Sequence, residues 1–223
     1  MNRRPMLITS AVVIGAMTVL GAWAWLQLPA DARIPIHWGI DGEANGWADR
    51  TVGLFLIPVL SVAMVALFWV IPRIEPRRAN LERSARAYGA IWIGVIVLLG
   101  GLQVLTVISA LGHTDVDVTR LVFAGTGALF VVMGNYLPKV RPNYMMGIRT
   151  PWTLTSDLAW TRTHRVGGWL FVIEGVVLFV LGLSGVDGSV LVAVLLASIG
   201  LTIAFTFAYS YIVWKSDPER RTT

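Results

Sequence analysis

Hydrophobic residues fall in six long runs, separated by polar segments that hold nearly all the charge. The runs are Met6–Leu28, Thr51–Ile71, Tyr88–Leu111, Leu121–Leu137, Val166–Ser184 and Val190–Trp214. A helix crossing a bilayer needs about 20 apolar residues at 1.5 Å rise each. Each run therefore predicts a membrane helix. The fourth is the weakest, being short and holding Gly125, Gly127 and Gly134. Its ends are well marked, by Arg120 on one side and Pro138-Lys139 on the other. Asp187-Gly188 predicts a tight turn between the last two runs. Three polar segments are long: Pro29–Arg50, Pro72–Ala87 and Pro138–Arg165. No internal repeat is evident. The expected fold is all-α, a polytopic membrane protein of six transmembrane helices. It divides into a two-span region over 1–87, with loop 29–50, and a four-span region over 88–223, with loop 138–165.

Composition supports this. Hydrophobic residues are 56% of the 223 and charged ones 14%, against roughly 25% charged in an average soluble domain. The mean hydropathy is +0.69. The chain has no cysteine, which excludes disulfides, thiolate metal sites and a cysteine nucleophile.

The net charge of +5 invites a nucleic-acid reading until its distribution is seen. With the N-terminus inside, 15 of the 18 cations fall in inner segments, including Lys215, Arg220 and Arg221 at the end. The outer segments hold only Arg33, Arg50 and Arg120, with seven acids: Asp31, Asp41, Glu43, Asp49, Asp115, Asp117 and Asp187. Basic residues concentrate in cytoplasmic loops, so both termini are expected in the cytoplasm. The cations orient the chain, and no direct nucleic-acid binding is expected. A cleaved signal peptide, from Arg3-Arg4 and Ala30-Asp31-Ala32, is the competing reading of the first run, which is long for that purpose.

Three places carry candidate chemistry. In the outer loop, Ile34, Ile36 and Trp38 alternate around His37, predicting a short strand. Asp41-Gly42 and Asn45-Gly46 predict turns. His37 with Asp41, Glu43 and Asp49 is a weak metal-ligand set. The plainer reading, interfacial Trp38 and Trp47 anchoring a polar cap, leaves no metal assigned. The inner loop concentrates Asn143, Arg149, Thr150, Trp152, Asp157, Trp160, His164 and Arg165, with Asn135 just before it. Thr155-Ser156-Asp157 predicts a helix start, giving a helix over Thr155–His164. Asp157, Trp160, Thr161 and His164 would share one face of it. Gly167-Gly168 is expected to bend the chain into the fifth run. A docking or ligand site and a plain interfacial helix both fit these residues.

Glu174 is the one ionisable residue well inside a run. A charge in hydrocarbon costs several kcal/mol or more, so it must be protonated, paired or facing a polar cavity. Gln103 and Asn135 are the candidate partners. Gly167 lies two turns away on its face, where a neighbouring helix can come close. Ser198, Thr202, Thr206 and Ser210 form a hydroxyl stripe on the sixth run, read as helix packing. No Walker A, HExxH or GxSxG pattern occurs. His164, Asp157 and Thr161 lack an oxyanion hole, so no enzyme and no cofactor are expected.

Residues Gly134-Asn135-Tyr136-Leu137-Pro138-Lys139-Val140-Arg141-Pro142-Asn143, then Gly147-Ile148-Arg149-Thr150-Pro151-Trp152-Thr153-Leu154 and Trp160-Thr161-Arg162-Thr163-His164-Arg165, resemble the SdpI family of bacterial membrane proteins. Leu28-Pro29, Ile34-Pro35-Ile36-His37-Trp38 and Gly42 resemble the domain of unknown function that usually precedes it. The resemblance covers nearly the whole chain and implies six spans in the bacterial cytoplasmic membrane. It also implies immunity to a secreted peptide toxin, and signalling by holding an ArsR-type repressor at the membrane. The implied partners are the lipid bilayer, an extracellular peptide toxin and that cytoplasmic repressor. It carries over no catalytic residues. A small proton- or ion-coupled transporter using Glu174 is the alternative.

Overall fold

The computed structural model describes residues 1–113 and 116–220; Asp115 and Arg221, counted above, lie outside them. The elements in order are α1 (Arg4–Gln27), β1 (Arg33–Trp38), β2 (Ala44–Asp49), α2 (Arg50–Ile74), α3 (Arg78–Arg83), α4 (Ala85–Ala110), α5 (Val118–Tyr136), α6 (Pro151–Thr155), α7 (Asp157–Leu183) and α8 (Gly188–Lys215). Six of them, α1, α2, α4, α5, α7 and α8, are long and apolar enough to cross a membrane. The fourth run, weakest in the sequence, is among them.

β1 and β2 form an antiparallel hairpin. Gly42 turns it with φ +81°, a left-handed conformation that costs glycine little. Asn45-Gly46 is not a turn. It lies within β2, with Gly46 opposite His37. A Cβ on Gly46 would sit 2.9 Å from that of His37, so the glycine serves close strand approach. The hairpin is locked down through Ile34, buried directly over Gly53 of α2. Asp49 ends β2 and caps α2, accepting from the Thr51 (2.9 Å) and Val52 (3.0 Å) amides.

Helix α2 contains Pro58 and Pro72. Each lacks an N–H, which frees the carbonyl four residues earlier. In a bilayer that oxygen has no water to turn to. Helix α4 supplies both missing donors: Gln103 Nε2 donates to the Leu54 carbonyl at 3.0 Å, and Tyr88 Oη to the Phe68 carbonyl at 2.5 Å. Gln103 is thus committed to α2 and is not the partner of Glu174. Around Tyr88, Phe68 and Trp92 stack at 5.4 Å. Trp92 Nε1 reaches Ser10 of α1 at 3.0 Å, tying three helices together.

Helices α5 and α7 run antiparallel in backbone contact. A Cβ on Gly134 would lie 2.6 Å from the Gly168 carbonyl, and one on Gly127 would lie 2.5 Å from that of Gly175. One on Gly182 would lie 2.8 Å from the Arg120 carbonyl. Each step is seven residues on both helices, the repeat of an antiparallel coiled-coil seam. The expected break after His164 is absent: α7 is one helix from Asp157 to Leu183. Gly167 and Gly168 do not bend the chain. Gly168 presses on Gly134 and Pro138, and Gly167 on Ile148, so packing offsets their poor helix propensity of about 1 kcal/mol each.

Gln103→Leu should leave the Leu54 carbonyl unpaired and lower stability by roughly 1–2 kcal/mol. Tyr88→Phe should do the same at Phe68. Reversible unfolding in mixed micelles measures both; wild-type stability in either variant would contradict the assignment.

Candidate functional site

The segment between α5 and α7 is ordered by buried side chains bonding to its own backbone. Asn143 is fully buried. Its Nδ2 donates to the Arg141 (2.8 Å) and Met146 (3.1 Å) carbonyls. Its Oδ1 accepts from the Met145 (2.9 Å) and Met146 (2.7 Å) amides. One amide group thus fixes a whole turn of loop.

The α2–α4 connection holds the outside of that turn. Asn80 Nδ2 donates to the Pro142 carbonyl at 2.8 Å, and Ser84 Oγ accepts from the Arg141 amide at 2.9 Å. Buried Glu75 accepts from the Tyr144 and Arg77 amides at 3.0 and 2.8 Å. Arg77 donates to Tyr144 Oη and to the Leu154 carbonyl, both at 3.2 Å. Glu75, Asn80 and Ser84 were not singled out in the sequence. The one available signal was Glu75, an acid between two prolines in a run of arginines.

On α7, Trp160 and His164 stack with ring centroids 4.0 Å apart, both buried. Trp160 Nε1 donates to the Val140 carbonyl at 2.7 Å. His164 Nδ1 lies 2.8 Å from the Trp160 carbonyl, and Nε2 accepts from the Ile148 amide at 3.0 Å. A carbonyl can only accept and an amide can only donate. The imidazole is therefore neutral with its proton on Nδ1. Gly147 has φ +115°, and a Cβ there would come 2.3 Å from His164 Nε2. Backbone conformation and space both demand glycine. The two rings thus clamp the loop at Val140 and Ile148.

Helix α6 docks on α8. Thr150 caps α6 in a reciprocal pair with Thr153 and donates to Ser210 Oγ at 3.0 Å. Trp152 packs edge-on against Phe207 at 4.7 Å. Ser156, rather than Thr155, caps α7 through the Ala159 amide at 2.9 Å. Ser156 also donates to Asp217 beyond α8. That hydroxyl and the Glu219 amide hold the Asp217 carboxyl below the usual carboxylate range.

The expected common face of Asp157, Trp160, Thr161 and His164 is split. Trp160 and His164 point into the protein, while Asp157 and Thr161 are exposed. Arg149 and Arg165 are exposed too, with Arg149 donating to the Tyr144 carbonyl. Asn135 is exposed and bonds only to Val131 of its own helix, at 3.0 Å. Arg77, Asn80, Leu154, Asp157, Asp217 and Glu219 surround a polar cleft of about 340 Å³.

Two candidates lie elsewhere. Glu174 is buried; its Oε1 accepts from Thr202 Oγ1, and its Oε2 has no partner. Neither proposed partner, Gln103 or Asn135, reaches it, because each bonds a backbone carbonyl elsewhere. Its face does meet α8, as the small Gly167 suggested: Thr206 packs 3.7 Å from where a Gly167 Cβ would sit. Thr202, Thr206 and Ser210 are all buried. At the hairpin, His37 Nδ1 bonds Asn45 at 2.5 Å. Asp49 is occupied as a cap, and no group of three metal-ligating side chains occurs among the described residues.

Known proteins match parts of this sequence. Residues 139–210, from the loop through most of α8, match the SdpI/YfhL protein family. Residues 12–62, spanning the hairpin, match DUF1648, a domain of unknown function. The immunity protein SdpI of Bacillus subtilis (strain 168) is 24% identical over 206 residues, covering 92% of this chain and 94% of that protein. No solved structure matches.

Gly147→Ala and His164→Ala should each cost about 1–3 kcal/mol. Because both disturb one contact, the double variant should cost less than their sum. Full additivity in denaturant unfolding would show that the two do not act as a unit.

Proposed function

We propose that this chain, an SdpI-family membrane protein with a DUF1648 segment on its N-terminal side, is an immunity protein that protects its cell from a secreted peptide toxin. It is a multi-pass bacterial membrane protein. The observation that carries the proposal is similarity to an immunity protein along nearly the full length of both chains. Residues 1–87 meet the toxin and 88–223 carry the signal inward.

A cavity of about 380 Å³ under the hairpin supports the first role, lined by Ile36, Trp38, Leu56, Leu60 and Phe123 among others. It suits the apolar side chains of a membrane-active peptide. Exposed Asp41 and Glu43 on the hairpin, with Asp31 just before it, suit a cationic one. The cytoplasmic counterpart is the rigid loop with its polar cleft and exposed Arg149, Arg162 and Arg165. An ArsR-type repressor held there would be a protein partner, with no contact to DNA by this chain. A binding rather than an enzymatic role is favoured because both His164 nitrogens are used by backbone groups. The second reading, an ion-coupled carrier, is favoured by the unpartnered Glu174 oxygen in the membrane interior.

Deleting the gene should sensitise cells to at least one secreted membrane-active peptide, and Glu174→Gln should restore resistance as well as wild type does. Unchanged sensitivity across a peptide panel argues against immunity. Failure of Glu174→Gln alone moves the weight to the carrier.

Both termini are placed in the cytoplasm by this proposal, on the strength of the cation distribution. The cysteine-free chain allows a direct check. In intact cells, an impermeant maleimide should label Asp41→Cys but not Asp157→Cys; the reverse pattern overturns the orientation.

A further inference from the structure

The start of α1 and the end of α2 meet in a cluster of cations without matching acids. Arg3 Nη1 and Arg73 Nη1 both donate to the Trp69 carbonyl oxygen, at 2.8 and 2.7 Å. Sharing one acceptor keeps the two nitrogens within about 5.5 Å of each other. The Arg73 guanidinium also lies over the Trp69 ring, 3.2 Å from its centroid. Arg4 and Arg78 line the same cavity, of about 410 Å³. Among the described residues, Glu82 is the acid in reach, and Arg78 engages it at 3.2 Å. Among the described residues, no carboxylate pairs with Arg3, Arg4 or Arg73.

A guanidinium carries five donors in a planar fork that matches phosphate oxygens. Arg3 and Arg73 spend one nitrogen each on Trp69 and hold the rest toward a common space. Apolar side chains accompany that space. Leu7 and Trp69 line it, and Ile8, Leu67, Val70 and Ile74 are exposed on the same two helices. A free anion makes no use of that apolar margin, whereas a phospholipid does.

We infer that this cavity binds the phosphate of an anionic phospholipid, held between Arg3 and Arg73, with its acyl chains lying along α1 and α2. Cations near a bilayer attract anionic lipid generally. Here two guanidinium groups are fixed at one point by a shared carbonyl, which makes a site rather than a diffuse attraction. The inference stands apart from the immunity proposal, because neither toxin nor repressor enters it.

The full chain, purified in detergent, would be offered equimolar phosphatidylglycerol and phosphatidylcholine and its retained lipids read by native mass spectrometry. Phosphatidylglycerol should be preferred by on the order of tenfold. Arg3→Gln/Arg73→Gln should bring the preference near parity, while Arg162→Gln/Arg165→Gln should keep it. Equal loss in both double variants reduces the effect to bulk charge and overturns the site. Displacement of lipid by excess inorganic phosphate overturns the lipid assignment in favour of a free-anion site. Should the glutamine variant not fold, Arg3→Lys/Arg73→Lys keeps the charge without the fork and should show a weakened preference. A wild-type chain without preference overturns the inference by itself.

Discussion

Hydrocarbon offers no hydrogen-bond partner, so every polar group placed in it must be satisfied by the protein. Much of the architecture answers that demand. Two prolines open the backbone of α2 at Leu54 and Phe68, and α4 closes both openings with Gln103 and Tyr88. Those bonds fix how α4 lies on α2. The aromatic cluster around Trp92, and its bond to Ser10, then fix α1 against both. On the other side, α5 and α7 rely on close approach instead. They associate by glycines that let backbones touch every seventh residue, the close packing that replaces a hydrophobic drive between helices in lipid. Against this rule, Gln103 Oε1 on α4 and Thr163 Oγ1 and Glu174 Oε2 on α7 are buried without a partner.

The same logic shapes the segment at the membrane surface. The 14-residue stretch 137–150 has little regular structure, of the kind that is often mobile, yet it is held by Asn143, Trp160 and His164 bonding to its main chain. Its rigidity comes from outside as well, through Glu75, Asn80 and Ser84 of the α2–α4 connection. The match to the SdpI/YfhL family begins at Lys139. The matched segment therefore includes this scaffold and the α7–α8 hairpin beneath it. Trp160 and His164 are buried and bond to the loop, whereas Arg149, Asp157 and Arg165 are exposed around them.

The hairpin is the corresponding device at the opposite end. Ile34 seated over Gly53 joins it rigidly to α2. A cavity lies between it and α4 and α5. This cap over an apolar space carries exposed Asp41 and Glu43, in contrast to the arginine cluster at the other end of α1 and α2. One chain thus presents opposite charge at its two membrane faces.

The six runs were legible because a bilayer imposes one requirement, length of apolar helix, that each sequence segment meets by itself. The strand around His37 was legible for a similar local reason. Wherever the answer depended on a neighbour, local reading fell short. Gly167-Gly168 reads as a bend in isolation and is helix in place, since Gly134, Pro138 and Ile148 fill the space beside it. Asn45-Gly46 reads as a turn and is strand, because His37 approaches it across the hairpin. Asp157, Thr161 and His164 share a helical face by spacing, yet the side on which protein lies divides them. The sequence offers Glu174 the amides of Gln103 and Asn135, and the structure gives it the hydroxyl of Thr202. Sequence alone determined the six long apolar helices and the charge of the segments between them, which follow from hydrophobicity and charge along one chain. Tertiary structure decided which carbonyls the prolines strand, which glycines touch and which ring nitrogens are free, because those depend on groups far apart in sequence meeting at one point.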